Sequence, residues 1–507
     1  MKTAVQIGAS VVAVLIAAVF LLPTFVDLGV FKHSYLPMVE EALHRRVDVD
    51  KVRLTLLPAP SIRLSQLKVS DNPALPDHTF FAAQQLQLRL RLWPLLKGQF
   101  HVTEFVLVKP TISLLKQPDG TFNFSDLAKN KESRDKKPEP KRKESGPKGQ
   151  DPAKLAALIP SRVRIRDGEL SIQTRGQEPV KFYGIDLSLQ EFSSERPFPY
   201  SASMNFPGLQ PISLEGQLSY QQDPATLKLK DTLLKTQDVT FPVNGSVSHL
   251  TTLPRIHLSL ANDRVDARPV FQILSVFGLA PSETEVAGPM GLQLNVDGLS
   301  NNLVTQVRGQ FNDVKVDGKR ALKGTLTGNI FLKLPLGGGS SVARRLQGEG
   351  RLLAKDGELK NVDLISKIQR VTGLIGLSRE QRREATTFKT LESDFTIGKG
   401  LVDFTRIYLI NPQFEVQGSG TMTVDNPTLN LTIEAILSSQ ASARTIRSGA
   451  PPFFKDNQGR IVVPLRITGK VESPSVNLDT EKLTERGMGR TMEKGIGSLF
   501  KQLFRRK

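Results

Sequence analysis

The sequence predicts a mainly β protein: a long antiparallel sheet with a few capping helices, behind one N-terminal apolar segment. Three observations predict it. Apolar and polar residues alternate with period two in segment after segment, Asp-Gly pairs punctuate those segments, and an uncharged stretch opens the chain. At 507 residues the chain is too long for one ordinary core and long enough for several domains or a repetitive rod.

The alternation is explicit. Leu86, Leu88, Leu90 and Leu92 alternate with Gln87, Arg89 and Arg91. Val163 and Ile165 alternate with Arg164 and Arg166, and Leu227 and Leu229 with Lys228 and Lys230. Leu292, Leu294 and Val296 alternate with Gln293, Asn295 and Asp297; Ile330, Leu332 and Leu334, then Leu429, Leu431 and Ile433, continue the series. Each such strand has one greasy and one wet face. Asp119-Gly120, Asp167-Gly168, Asp297-Gly298, Asp317-Gly318 and Asp356-Gly357 are expected to be tight hairpins, because glycine accepts positive φ. Apolar residues at helical spacing predict helices over 34–46 and 362–377, and more weakly over 266–279. A sandwich and a single curled sheet with a lined groove both produce this alternation, so the pattern alone leaves the two open.

The opening segment has no charge from Thr3 to Val26, and Val11 to Leu22 is unbroken apolar sequence. That suits a helix crossing a bilayer, which needs about 20 residues. The competing reading is a cleaved signal peptide, but no A-x-A site follows the run. Lys2 precedes the segment, which favours a cytoplasmic amino terminus and a single span. The expected organisation is an anchor at 1–26, a helix-plus-β region at 27–128 and a flexible basic insertion at 129–150. A β-rich middle follows at 151–340, then a C-terminal β region at 341–480 and a basic amphipathic helix at 481–507. Residues 129–150 are rich in Lys, Glu, Pro and Gly and hold no large apolar residue, so they bury too little surface to offset ordering entropy.

Composition excludes several functions. Lys and Arg exceed Asp and Glu by 68 to 50, for a net charge of +18, and much of that excess sits at 129–150 and at the carboxyl end. No run interleaves basic and aromatic residues as single-strand nucleic-acid grooves do. The absence of cysteine removes disulfides, thiolate catalysis and cysteine-based metal sites. The six histidines, His33, His44, His78, His101, His249 and His257, show no metal-ligand spacing. There is no phosphate-binding loop, nucleophile elbow or dinucleotide fingerprint. No enzyme, cofactor, metal or nucleotide is expected. At the carboxyl end, Ile496, Leu499, Phe500, Leu503 and Phe504 recur at helical spacing beside Lys494, Lys501, Arg505 and Arg506. This helix fits either a plug on the β-structure or a membrane-surface segment.

The two ends together resemble the AsmA family of bacterial envelope proteins. After Pro23-Thr24-Phe25-Val26-Asp27 come Leu43-His44-Arg45-Arg46-Val47, Leu57-Pro58 and Leu67-Lys68-Val69-Ser70-Asp71-Asn72-Pro73. Leu95-Leu96-Lys97-Gly98, Pro110 with Ile112 and Leu114, and Asp119-Gly120-Thr121-Phe122-Asn123-Phe124 follow in the family's order. The carboxyl half adds Gly348-Glu349-Gly350, Asp356-Gly357-Glu358-Leu359, Asn411-Pro412-Gln413-Phe414 and Gly418-Ser419-Gly420. The chain departs from the pattern at His44, where the family often has Gly, and at Phe124, where it often has Trp. The resemblance implies a single-pass protein of the bacterial inner membrane with its bulk in the periplasm, a curved β-groove, and a role in outer-membrane lipid homeostasis or assembly. The groove would then be lined by Leu86, Leu88, Leu90, Leu92, Ile112, Leu114, Leu227, Leu229, Leu292, Leu294, Val296, Leu429, Leu431 and Ile433. Its expected partners are membrane phospholipids; the alternative is a scaffold or assembly factor docking other envelope proteins.

Overall fold

The computed structural model describes residues 44–485 apart from 56–58, 72–77, 98–100, 117–121, 124–159, 175–177, 251–252, 277–282, 319–321, 337–340, 361, 365, 367, 369–384 and 448–453, together with residues 36, 37 and 40. The expected anchor, the 129–150 insertion, Asp119-Gly120 and the basic carboxyl-terminal residues from Lys494 to Arg506 lie outside the described residues. So do most of the helices expected at 34–46 and 362–377. Leu364, Ser366 and Ile368 of the latter are helical, and Leu364 and Ile368 are buried.

The described chain is mainly β and divides into two units, the first ending near Leu260 and also holding residues Asp297–Leu303. The first contains β1 (Val47–Asp48), β2 (Lys51–Thr55), β3 (Ser61–Ser70), β4 (Thr79–Leu90), β5 (Val102–Lys116) and β6 (Arg162–Thr174). It continues through β7 (Val180–Leu189), β8 (Phe198–Asn205), β9 (Ile212–Gln221), β10 (Thr226–Thr236), β11 (Val239–Ser248) and the start of β12 (Arg255–Asp266). A one-turn helix, α1 (Leu92–Leu96), joins β4 to β5. Successive strands from β3 to β12 pair antiparallel, with one exception: β5 and β6 run parallel. Parallel neighbours need a crossover connection, and the charged 129–150 stretch lies within it.

The second unit begins with helix α2 (Ala267–Val276), whose second amide is capped by the Asp266 carboxylate at 2.8 Å. Then come β13 (Thr284–Ala287), β14 (Pro289–Leu299), β15 (Asn302–Gly318), β16 (Leu322–Pro335), the short helix α3 (Val342–Arg345), β17 (Gln347–Lys360), β18 (Ala385–Gly398), β19 (Leu401–Ile410), β20 (Phe414–Thr423) and β21 (Thr428–Leu437). Helix α4 (Ser439–Arg447), β22 (Val462–Lys470), β23 (Ser475–Leu478) and α5 (Thr480–Glu485) complete it. From β15 to β23 every pair is sequential and antiparallel.

The Asp-Gly pairs correct the sequence reading. Asp167-Gly168 and Asp356-Gly357 stand in the middle of β6 and β17, not in hairpins. Their aspartates have φ of 52° and 47°. Each left-handed residue shifts the ladder and flips the alternation once. In β6 the apolar positions are therefore Val163 and Ile165 before the flip and Leu170 and Ile172 after it. Gly184 (φ 57°) in β7 and Asp313 (φ 55°) in β15 do the same, whereas Gln66 (φ 53°) in β3 and Lys109 (φ 48°) in β5 flip the alternation without shifting their ladders at those residues. In β3 the result is checkable: Ile62 and Leu64 before Gln66, and Leu67 after it, pack into one cluster around Val47, Val49, Val52 and Val69.

A Cβ at residue 357 would collide with the Lys323 carbonyl and the Phe388 ring. Gly357→Ala is expected to destabilise the fold by about 1–3 kcal/mol through overpacking, read as a lower urea midpoint. Asp356→Gly is expected to keep the wild-type midpoint, because glycine takes positive φ freely.

Candidate lipid-binding face

Cross-strand register assembles the apolar positions into continuous rows. In the first unit Leu64, Leu86, Leu107, Ile165, Leu187, Ala202, Leu214, Leu234 and Phe241 stand opposite one another across β3 to β11. A shorter row runs Ile62, Leu88, Phe105, Val163, Leu189 and Tyr200. Beyond the flips, Val69, Phe81, Ile112, Leu170 and Phe182 form a third. In the second unit the row is Val314, Leu326, Ala354, Leu391, Leu409, Val416, Ala435 and Val463. Most first-unit row members are only half-buried, so they neither face open water nor sit in a sealed interior.

The sequence-predicted lining residues distribute unevenly. Leu86 and Leu88 stand in these rows, Ile112 in the third row, and Leu114 opposite Ile172. Leu227 and Leu229 face Tyr220 and Leu218 across β9. Leu292, Leu294 and Val296 are half-buried on β14. Leu90 is buried at the end of β4, and Leu92 starts α1 instead of extending the strand. Leu429 is half-buried, whereas Leu431 and Ile433 are buried, Ile433 to 2% exposure. Around Ile433 the sheet is covered: Leu437, Ile461, Val463 and Leu465 are buried, and the Ser442 hydroxyl of α4 accepts the Ile461 amide at 2.9 Å. The second unit's row is thus buried from Val314 on β15 to Val463 on β22, with only Leu391 half-buried, and its half-buried apolar residues such as Leu292, Leu294 and Val296 lie off that row.

The wet faces are cross-linked by charge. Buried Glu104 lies 2.6 Å from Arg89 and 3.2 Å from Arg164, its neighbours on β4 and β6. Arg351 meets Asp394 at 2.6 Å. Lys360, hydrogen-bonded at 2.6 Å, and Lys323 hold the Asp317 carboxyl below its usual range. A hydrogen bond from His257, then Arg255, does the same for Asp297. His257 is thus an exposed sheet-face histidine. Among the described residues no three His, Asp or Glu side chains converge as a metal site. The second unit has a cavity of about 1110 Å³ lined by Arg308, Gln310, Asn329, Glu349, Arg351 and Asp394. Its arginines are engaged, Arg351 by Asp394 and Arg308 over the Phe331 ring at 5.3 Å.

Sequence reasoning attached no role to one cluster. Arg45, Asp71 and Asn123, from three separate family motifs, meet in a buried knot. The Arg45 guanidinium pairs with Asp71 at 2.9 Å, donates to the Asn123 carbonyl at 2.8 Å and lies 5.1 Å from the Phe80 ring centre. The Asn123 amide donates to Asp71 at 2.7 Å and to the Ser113 carbonyl at 2.9 Å, and its oxygen accepts from the Leu115 amide. The knot fastens the approach to β1, the β3–β4 connection and the segment after β5. Only the wide separation of these motifs in sequence hid it. Asp71→Ala removes the Asp71 carboxylate from the buried Arg45 guanidinium and is expected to cost about 3–5 kcal/mol, read as a lowered denaturation midpoint.

Among the described residues no helix is long and apolar enough to cross a membrane. No curated protein and no solved structure matches the chain. The AsmA family model matches residues 1–276, which takes in the anchor-like segment, the knot and the first unit's rows. That match covers more than half of the sequence, and the chain belongs to the AsmA family.

Proposed function

We propose that this protein carries lipid acyl chains along the apolar face of its sheets, in the periplasm, anchored to the inner membrane by residues 1–26. Membership of the AsmA family suggests an outer-membrane biogenesis or lipid-related role, and acyl-chain passage is a specific form of that role. The observation that supports it most is the nine-strand row from Leu64 to Phe241, whose members are mostly half-buried. At roughly 4.8 Å per strand it extends about 40 Å. A hydrocarbon tail moving along it exchanges one set of aliphatic contacts for an equal set, so each step costs little. Leaving for water costs about 0.8 kcal/mol per methylene. Wet-face charges such as Arg89, Arg164 and Glu104, or Arg351 and Asp394, are paired across strands, and nothing in the described chain points to catalysis.

A charge in the row tests the reading. Leu107→Glu and Ile165→Glu are expected to reduce the phospholipid retained after mild detergent extraction several-fold, by mass spectrometry. The wet-face control Gln87→Glu is expected to retain the wild-type amount. Equal lipid in all three variants would refute acyl-chain carriage.

A further inference from the structure

The chain's single tryptophan, Trp93, is 75% exposed. It is held there by a defined turn. The Leu95 amide donates to the Arg91 carbonyl at 3.2 Å, Lys97 to Pro94 at 3.0 Å, and the Arg91 amide to the His101 carbonyl at 3.0 Å, which closes the neck of the loop. A large indole pinned in water gains nothing from the rest of the fold. Its neighbours along the chain are basic. Residues 91–103 include Arg91, Lys97 and His101 and no Asp or Glu, and Arg91 and Lys97 are exposed. The first carboxylate after the loop, Glu104, is buried and already paired with Arg89 and Arg164. The second unit has, by itself, an exposed apolar residue beside a cation: Val342, 50% exposed, and Arg344 both stand on α3.

We propose that the Trp93 loop docks on an anionic lipid surface, with the indole at headgroup depth and Arg91 and Lys97 on the phosphates. Interfacial tryptophan and clustered cations without carboxylates match the chemistry of that surface. The inference is independent of acyl-chain carriage, because it stands on the loop and not on the apolar rows.

Because Trp93 is the only tryptophan, its emission reports on the loop directly. The full chain is reconstituted in phosphatidylcholine vesicles carrying brominated acyl chains, with or without phosphatidylglycerol. Phosphatidylglycerol is expected to blue-shift Trp93 and increase its quenching. R91Q/K97Q is expected to lose that response while retaining the wild-type amount of co-purified phospholipid. Trp93→Phe with Val180→Trp moves the probe to an exposed position at the opposite strand ends, where no quenching is expected. Quenching equal at both positions, or equal without phosphatidylglycerol, overturns the proposal. So does loss of co-purified lipid in R91Q/K97Q, or a shift that appears only when another envelope protein is added.

Discussion

The structure depends on keeping every long strand's apolar side chains on one side of its sheet. A perfectly regular strand does this with strict alternation, but long strands twist, and β3, β5, β6, β15 and β17 each interrupt the alternation once. Gln66, Lys109, Asp167, Asp313 and Asp356 adopt left-handed backbone there, at a cost on the order of 1 kcal/mol each. Lys109 and Asp167 occupy adjoining positions on neighbouring strands and form an ion pair at 3.6 Å. The interruption is thus carried from strand to strand, and the rows on either side of it stay in register.

The opposite face obeys a different constraint. An open sheet with one greasy side must keep its other side wet and non-adhesive. Cross-strand pairs such as Arg351 with Asp394 neutralise that face locally without hiding it. Exposed pairs of this kind contribute little to stability. The Arg45–Asp71–Asn123 knot is different in kind, since its groups are shut away from water and each needs its partners.

The mainly β class and most strand positions were legible in the sequence because period-two patterning is a direct imprint of burial. The helix near 266–279 was legible through its apolar spacing and appears at Ala267–Val276. Asp167-Gly168 and Asp356-Gly357 misled because Asp-Gly suits a hairpin and a mid-strand left-handed residue equally; the clue was the change of parity in the apolar positions around them. Leu92 continued the leucine pattern, yet Pro94 removes an amide that a ladder needs, and the chain turns into α1. The parallel pairing of β5 and β6 left no local trace, because strand direction is set by where the chain returns and not by residue pattern. The knot was invisible for the same reason: Arg45 and Asn123 are brought together only by tertiary structure.

That parallel pair also sets a floor on the chain that joins it. From the end of β5 the polypeptide must travel back past all thirteen residues of β6 before pairing, a path of roughly 43 Å at 3.3 Å per residue. About a dozen fully extended residues are the shortest tether that reaches. Residues 124–161, which join Asn123 to β6, exceed that floor about threefold in number, so a shorter connection still permits the parallel pair, and one below the floor would force β6 to reverse or to detach.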